Sequence, residues 1–139
     1  MGKINFSKVL IGGIVGGIAL FIVDGIIHMS MFKGMMDAMT ASGMFKATDA
    51  STLVPQFILS LVIGILGTYT YALARPRLGA SYASAVQVAI LVGLLIGVYM
   101  GGGHMIWMAK DDGMSTLALV SGFLAPAVGT FVGAWVYTD

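Results

Sequence analysis

The chain has 139 residues, of which 58% are hydrophobic and only 9% charged, with a net charge of +1. Its mean hydropathy of +0.97 excludes a soluble globular domain, because water would not wet the surface of such a chain. The lack of cysteine excludes disulfides, thiolate metal ligands and thiol catalysis. Its few basic residues are scattered, so no nucleic-acid-binding surface is predicted. We expect one transmembrane domain covering residues 1–139.

Four apolar stretches are long enough to cross a hydrocarbon core of about 30 Å, which takes about 20 helical residues. They cover residues 7–27, 53–74, 84–106 and 115–136. Lys3 and Lys8 precede the first stretch as in a signal peptide, but the stretch is too long for one and no cleavage motif follows. The sequence therefore predicts an all-α integral membrane protein, an up-down four-helix bundle.

Basic residues at the ends of these stretches predict the orientation of the protein in the membrane. Cytoplasmic loops of membrane proteins carry an excess of lysine and arginine. With a cytoplasmic N-terminus, the inner side carries four basic residues and the outer side three. The inner four are Lys3, Lys8, Arg75 and Arg77. Both termini are therefore predicted to face the cytoplasm.

Small residues recur at the spacing of helix contact faces in three of the four stretches. Lipid tails are as apolar as leucine, so helices in a bilayer associate through close van der Waals approach, which small residues permit. The faces are Gly12, Gly13, Gly16 and Gly17; then Gly93, Gly97 and Gly101; then Ala125, Gly129 and Gly133. The pattern fits contacts within the chain and contacts with another subunit equally well.

The outer segment of about residues 29–52 contains a methionine pattern. Met31, Met35 and Met39 recur every four residues, which predicts a short amphipathic helix lying in the membrane interface. Gly43 would end this helix. The rest of the segment is expected to be an extramembrane loop.

The start of the second stretch carries capping signals. Ser51 or Thr52 can accept a hydrogen bond from the unpaired N–H groups of a first helical turn. Pro55 would then fall in that first turn, where a missing backbone donor does no harm. We therefore expect a helix capped by one of these two hydroxyls.

Methionine is concentrated on the predicted outer side. Thioether sulfur is a soft ligand that suits Cu(I), so Met31, Met35 and Met39 are a candidate copper-binding surface. Methionine is also a flexible apolar residue that fills gaps in interfacial helices. The packing interpretation is the favoured one.

Three polar residues in or beside the apolar stretches are candidate ligands. Asp24 would lie within the hydrocarbon, where a carboxylate is costly unless it is paired. His28 follows four residues later on the same helix face, so Asp24 could orient its ring. His104 lies at nearly the same depth in the third stretch, after three glycines.

These histidines allow several cofactors and one simpler interpretation. His28 and His104 could bind one haem iron together, one chlorophyll-type magnesium each, or a divalent metal with Asp24 as the third ligand. Alternatively, each histidine is an interfacial residue whose polar tip reaches water.

Three short motifs stand out in the sequence. They are Ile4-Asn5-Phe6 with Gly12-Gly13, then Tyr71-Ala72-Leu73-Ala74-Arg75-Pro76-Arg77-Leu78-Gly79, and finally Gly133-Ala134-Trp135-Val136-Tyr137. In these motifs the chain resembles a group of small uncharacterised bacterial membrane proteins with four transmembrane helices. The resemblance implies a multi-pass protein of the bacterial inner membrane. It implies no activity and no catalytic residues.

No enzyme is predicted, because no motif pairs a nucleophile with a base and an oxyanion hole. The sequence favours a structural or accessory subunit whose glycine-rich faces pack against other transmembrane helices, in a homo-oligomer or a larger complex. The alternative is a membrane protein that binds haem, pigment or metal, including copper, through His28 and His104.

Overall fold

The computed structural model describes residues 3–110 and 113–137, and these residues form five helices and no strand. The helices are α1 (Phe6–Ser30), α2 (Lys33–Ala41), α3 (Ala50–Leu78), α4 (Tyr82–Trp107) and α5 (Met114–Val136). All except α2 are long and apolar enough to cross a membrane. The all-α prediction is confirmed, and the fifth helix, α2, lies in the segment where the methionine spacing predicts a short helix.

The helix α5 occupies the centre of the packing. It contacts α1, α3 and α4, whereas α1 and α4 make no contact with each other in the described part of the chain. More of α5 is buried than of any other apolar helix: 56% of its most apolar window, against 33% for α1, α3 and α4. The position of α1 relative to α4 is therefore set through their shared neighbours.

Small residues bring the helix backbones together. A Cβ atom at Gly12 would lie 2.6 Å from the carbonyl oxygen of Gly133 in α5. One at Gly93 of α4 would lie 2.5 Å from the carbonyl oxygen of Phe123. Real Cβ atoms do not come so close to backbone, so only glycine fits at these crossings. The glycines of the predicted contact faces all meet helices of the same chain: Gly12, Gly13, Gly16, Gly17, Gly93, Gly97, Gly101, Gly129 and Gly133.

The order of these contacts gives the relative directions of the helices. Along α1, Gly13 faces Ile65 of α3 and Gly17 faces Leu61, so the two helices run in opposite directions. Gly12 meets Gly133 of α5 and Gly16 also reaches Gly129, another antiparallel pair.

Two apolar clusters close the two ends of the packing. One cluster buries the start of α1 with the end of α5, and the amide of Asn5 donates to the Tyr137 hydroxyl at 3.2 Å. We call this the Tyr137 end. The other cluster, at the α2 end, buries Ile27 with residues of α2 and the start of α5. The members of the Tyr137-end cluster are Val9, Tyr71, Ala72, Ala85, Val88, Ala134 and Tyr137.

The cap of α3 differs from the prediction. Asp49, rather than Ser51 or Thr52, is the N-cap: its carboxylate accepts from the Ser51 amide at 2.8 Å, and Thr52 Oγ1 accepts from the Asp49 amide at 3.2 Å. The reciprocal pair satisfies two free donors, so the helix begins earlier than expected. Pro55 consequently lies beyond the first turn, and the exposed Ser51 carbonyl that it leaves unpaired can bond to water.

The hydrogen bonds that the Asp49 carboxylate accepts also favour its charged form. The bonds from the hydroxyl and amide of Ser51 keep the pKa of Asp49 below its usual range. The cap is therefore charged at neutral pH. Because the pKa is lowered in the folded state, the stabilisation is present above the ordinary carboxyl range and is lost as acidification protonates the group.

The short helix α2 lies in the segment where the methionine pattern predicts a helix. It ends at Ala41, and Gly43 follows with a φ of 76°, a left-handed conformation that favours glycine. Its predicted termination at Gly43 is confirmed.

We expect Gly17→Ala to destabilise the fold by about 1–3 kcal/mol, the usual cost of overpacking a filled core. The new Cβ would lie 2.6 Å from Leu61 Cα and 2.8 Å from the carbonyl oxygen of Ser60, and neither backbone atom can rotate away. Denaturation of detergent-solubilised protein, followed by circular dichroism, measures the effect.

The matched control is Gly25→Ala on the same helix. No atom lies within 4 Å of the Cβ position there, and alanine is the better helix former, so the change should be neutral or slightly stabilising. Equal stability of the two variants would contradict the close approach of α1 to α3.

Candidate functional site

Side chains of three helices meet at Asp24 of α1. Ser121 of α5 donates its hydroxyl to one carboxylate oxygen, and Gln56 Nε2 of α3 donates to the other at 3.3 Å. The Asp24 side chain is only 15% exposed. The carboxylate is thus held by donors from two neighbouring helices, which is how a polar group in a membrane interior becomes tolerable.

His28 completes this polar cluster. Its Nδ1 lies 2.8 Å from the Asp24 carbonyl oxygen and 3.4 Å from Asp24 Oδ1. Both oxygens can only accept, so Nδ1 carries the proton and donates. The neutral ring then has its free lone pair on Nε2, the atom available to a proton or a metal ion. The shorter contact is with the backbone carbonyl of Asp24, so orientation of the ring by the Asp24 carboxylate stays a prediction.

We call Asp24, His28, Gln56 and Ser121 the Asp24 cluster. Its members come from α1, α3 and α5. An ionised carboxylate with three nearby donors can hold a proton or a cation at the cluster. It also resists sliding of the three helices along one another, because Gln56 and Ser121 reach Asp24 only in this register.

His104 lies elsewhere. It is on α4, which does not contact α1, and its Nδ1 lies 2.8 Å from the Met100 carbonyl oxygen, so it too presents Nε2. Within residues 3–110 and 113–137, no three His, Cys, Asp or Glu side chains form a group that could hold a metal ion. The structure joins Asp24 to His28 but does not place His28 and His104 on contacting helices. A site shared by both histidines stays a prediction.

The three methionines of the predicted stripe have different surroundings. Met39 is buried in the apolar cluster of the α2 end, and Met35 packs against that cluster. Met31 precedes α2 and is 63% exposed. The contacts of Met35 and Met39 are those of apolar gap-filling side chains. Copper binding by the three stays a prediction.

Two members of the Asp24 cluster were not predicted as site residues. Ser121 and Gln56 are ordinary polar residues in apolar stretches, and sequence alone does not say which helix faces α1. The sequence did contain a usable signal. If the helices are antiparallel, Gln56 and Ser121 lie at the same depth in the membrane as Asp24. Using this signal also requires knowing which glycines meet, because those contacts set how the helices are aligned.

No protein-family model, curated protein or solved structure matches this chain. Function is therefore inferred from the chain's own geometry.

We expect Asp24→Ala to destabilise the fold by about 1–3 kcal/mol, because it removes the acceptor of the buried Ser121 hydroxyl of α5 and of the Gln56 amide of α3. Ser121→Ala should cost less, since the carboxylate keeps its other donors. Reversible unfolding in mixed micelles gives both values.

Asp37→Ala controls for the loss of a carboxylate as such. Asp37 pairs with Lys33 at 2.6 Å on the surface of α2, where both side chains are more than half exposed. Exposed ion pairs contribute about 0–1 kcal/mol, so this variant should unfold almost like the wild type. If Asp24→Ala were as mild as Asp37→Ala, the cluster would not hold the helices together.

Proposed function

We propose that this protein is a structural or accessory membrane subunit rather than an enzyme or a conduit. One observation carries the proposal: α1 and α4 pack against α5 through backbone contacts at glycine. In the described residues these contacts recur along α1 and α4, each against α5. Such an interior leaves little room for a substrate and makes a stiff unit that other proteins can pack against.

We further propose an up-down bundle in a bacterial inner membrane with both termini in the cytoplasm. The antiparallel contacts of α1 with α3 and α5 support alternating directions. Four apolar helices support a lipid environment. The basic residues Arg75 and Arg77 in the last turn of α3 support the inward direction of the Tyr137 end.

The outer part of α4 is the surface best suited to a partner helix. Gly102 and Gly103 have no atom within 4 Å of their Cβ positions, unlike Gly101, which meets Leu119 of α5. Nearby Trp107 is 87% exposed. Because the glycines predicted as contact faces already meet helices of this chain, any subunit contact uses a different surface, and this pair of open glycines permits close approach.

Native mass spectrometry of mildly extracted protein tests the subunit proposal. We expect a homo-oligomer or a complex with another membrane protein, reduced to the single chain by Gly103→Leu. The control is Gly25→Leu, also at an open glycine but on α1. A chain that is monomeric in detergent and that forms no cross-links in its native membrane would refute the proposal.

Binding of a haem, pigment or metal is the second candidate. The observation favouring it is that His28 and His104 both donate Nδ1 to the carbonyl four residues earlier and present Nε2. Because α1 and α4 both pack against α5, the arrangement is compatible with one group per imidazole, as in magnesium pigments, and with one haem shared by both.

An absorption spectrum with elemental analysis of the native protein tests this candidate. If His28 holds a cofactor, His28→Ala should remove most of the bound metal or pigment, while His28→Gln, which keeps a polar side chain, should remove it equally. A colourless and metal-free wild type would end the candidate. His104→Ala should remove a second equivalent if each histidine binds its own group.

A further inference from the structure

Five methionines lie in the apolar cluster of the α2 end. Met39 and Met114 are buried there, and Met35, Met36 and Met108 pack against the buried members. They come from α2, from the first residue of α5 and from the segment that follows α4. We call these five residues the methionine cluster. The fold thus brings thioether side chains from three parts of the chain together.

Side chains, rather than backbone, join α2 to α5 in this cluster. Among the described helices, the backbone of α2 comes close to that of α1 alone. Met35 Sδ nevertheless lies 3.1 Å from the Cβ position of Gly113, the N-cap of α5. Gly113 has a φ of 92°, a left-handed conformation that favours glycine, so this position leaves the sulfur room. The sulfur of Met35 therefore lies beside the residue that precedes Met114.

The two ends of the molecule fill their apolar clusters with different residues. Methionine supplies five of the eleven described members at the α2 end. At the Tyr137 end, the described members are alanine, valine and tyrosine, with isoleucine and phenylalanine packed around them, and none of them is methionine. Stable packing in this chain therefore does not require methionine, and packing alone does not explain why sulfur collects at one end.

The surroundings of these sulfurs favour a soft cation. Thioether sulfur is a neutral, soft ligand that suits Cu(I), whereas Cu(II) and Zn²⁺ are held mainly by nitrogen, oxygen or thiolate ligands. Other members of the cluster, such as Ile27, Leu117 and Phe45, supply no ligand. In residues 3–110 and 113–137, no three His, Cys, Asp or Glu side chains form a group that could hold a metal ion. A metal bound in the cluster would therefore rely on sulfur.

Burial within the cluster distinguishes an outer sulfur from two inner ones. Met39 and Met114 are 7% and 9% exposed, whereas Met35 is half-buried. Met35 and Met39 are four residues apart, so they lie on one face of α2. A cation can therefore reach Met35 from the surface and be shielded from water by the inner pair.

We propose that the methionine cluster binds one Cu(I) ion through the thioether sulfurs of Met35, Met39 and Met114. Methionine side chains are flexible, so rotations about their own bonds can bring three sulfurs to one ion without moving the helices. The site differs from the stripe predicted from spacing, because it includes Met114 of α5 and omits the exposed Met31. It is independent of the subunit proposal, since it uses none of the glycine contacts.

Copper titration of the whole chain, without an affinity tag, tests the site. Cu(I) is supplied under anaerobic, reducing conditions in competition with a weak coloured chelator such as ferrozine. We expect one Cu(I) per chain, and X-ray absorption of the loaded protein should show copper bonded to sulfur. A protein that takes no copper from the chelator, or that binds copper through nitrogen and oxygen alone, would overturn the proposal.

Two methionine-to-leucine variants separate the cluster from exposed sulfur. Leucine keeps the apolar volume but has no sulfur, so Met114→Leu should remain folded. It should weaken Cu(I) binding at least about tenfold, the lower end of the cost of losing even a supporting contact of a metal ligand. Met31→Leu removes an exposed sulfur of the predicted stripe and should stay within about twofold of the wild type. Equal affinities of the two variants would contradict the assignment.

Variants of the histidines distinguish this site from the second candidate function. His28→Gln combined with His104→Gln removes both imidazoles and should leave Cu(I) binding unchanged, because neither ring is a ligand here. Loss of the copper in this variant would assign the metal to the histidines and rule out the thioether site. Circular dichroism verifies that each variant is folded, and Met39→Leu replaces Met114→Leu if the latter does not fold.

Discussion

Backbone contact at glycine is the interaction on which the rest of the structure depends. In lipid, burying one apolar side chain against another gains little over burying it against an acyl chain, so close packing must hold the helices together. Gly12 meets Gly133, and Gly93 meets Phe123, at distances that admit no Cβ. These contacts centre on α5, which joins α1 to α4 although those two helices never meet. The apolar surface left outside is then free to face lipid.

The Asp24 cluster follows from this packing. The glycine crossings set the register of α1 against α3 and α5, and that register places Gln56 and Ser121 at the carboxylate of Asp24. The dependence runs in both directions, because the bonds to Asp24 resist sliding of the helices. His28 is attached to the same point through its contacts with Asp24. The polar cluster and the small-residue contacts are therefore two parts of one arrangement.

The sequence predicted the individual helices well, but it predicted poorly which helices contact one another. Composition and run length predicted the long helices, and glycine spacing predicted their contact faces. Which helix packs against which could not be predicted, since the same glycine spacing fits a partner helix in this chain or in another subunit. The contacts of Gln56 and Ser121 with Asp24 depend on that pairing. His28 and His104 share a depth along the chain, but depth does not report the angle around the bundle, so their separation onto non-contacting helices was not foreseen.

The central place of α5 also bears on how the protein is made. Synthesis proceeds from the N-terminus, so α1, α3 and α4 enter the membrane before the helix that all of them contact. Until α5 arrives, α4 has only α3 beside it, and the small-residue faces of α1 and α4 that meet α5 remain open to lipid or to chaperones of membrane insertion. Biogenesis thus ends with a single step that both closes these faces and brings Ser121 to Asp24. A nascent chain stalled before α5 would present the quality-control machinery with a carboxylate that lacks its Ser121 donor.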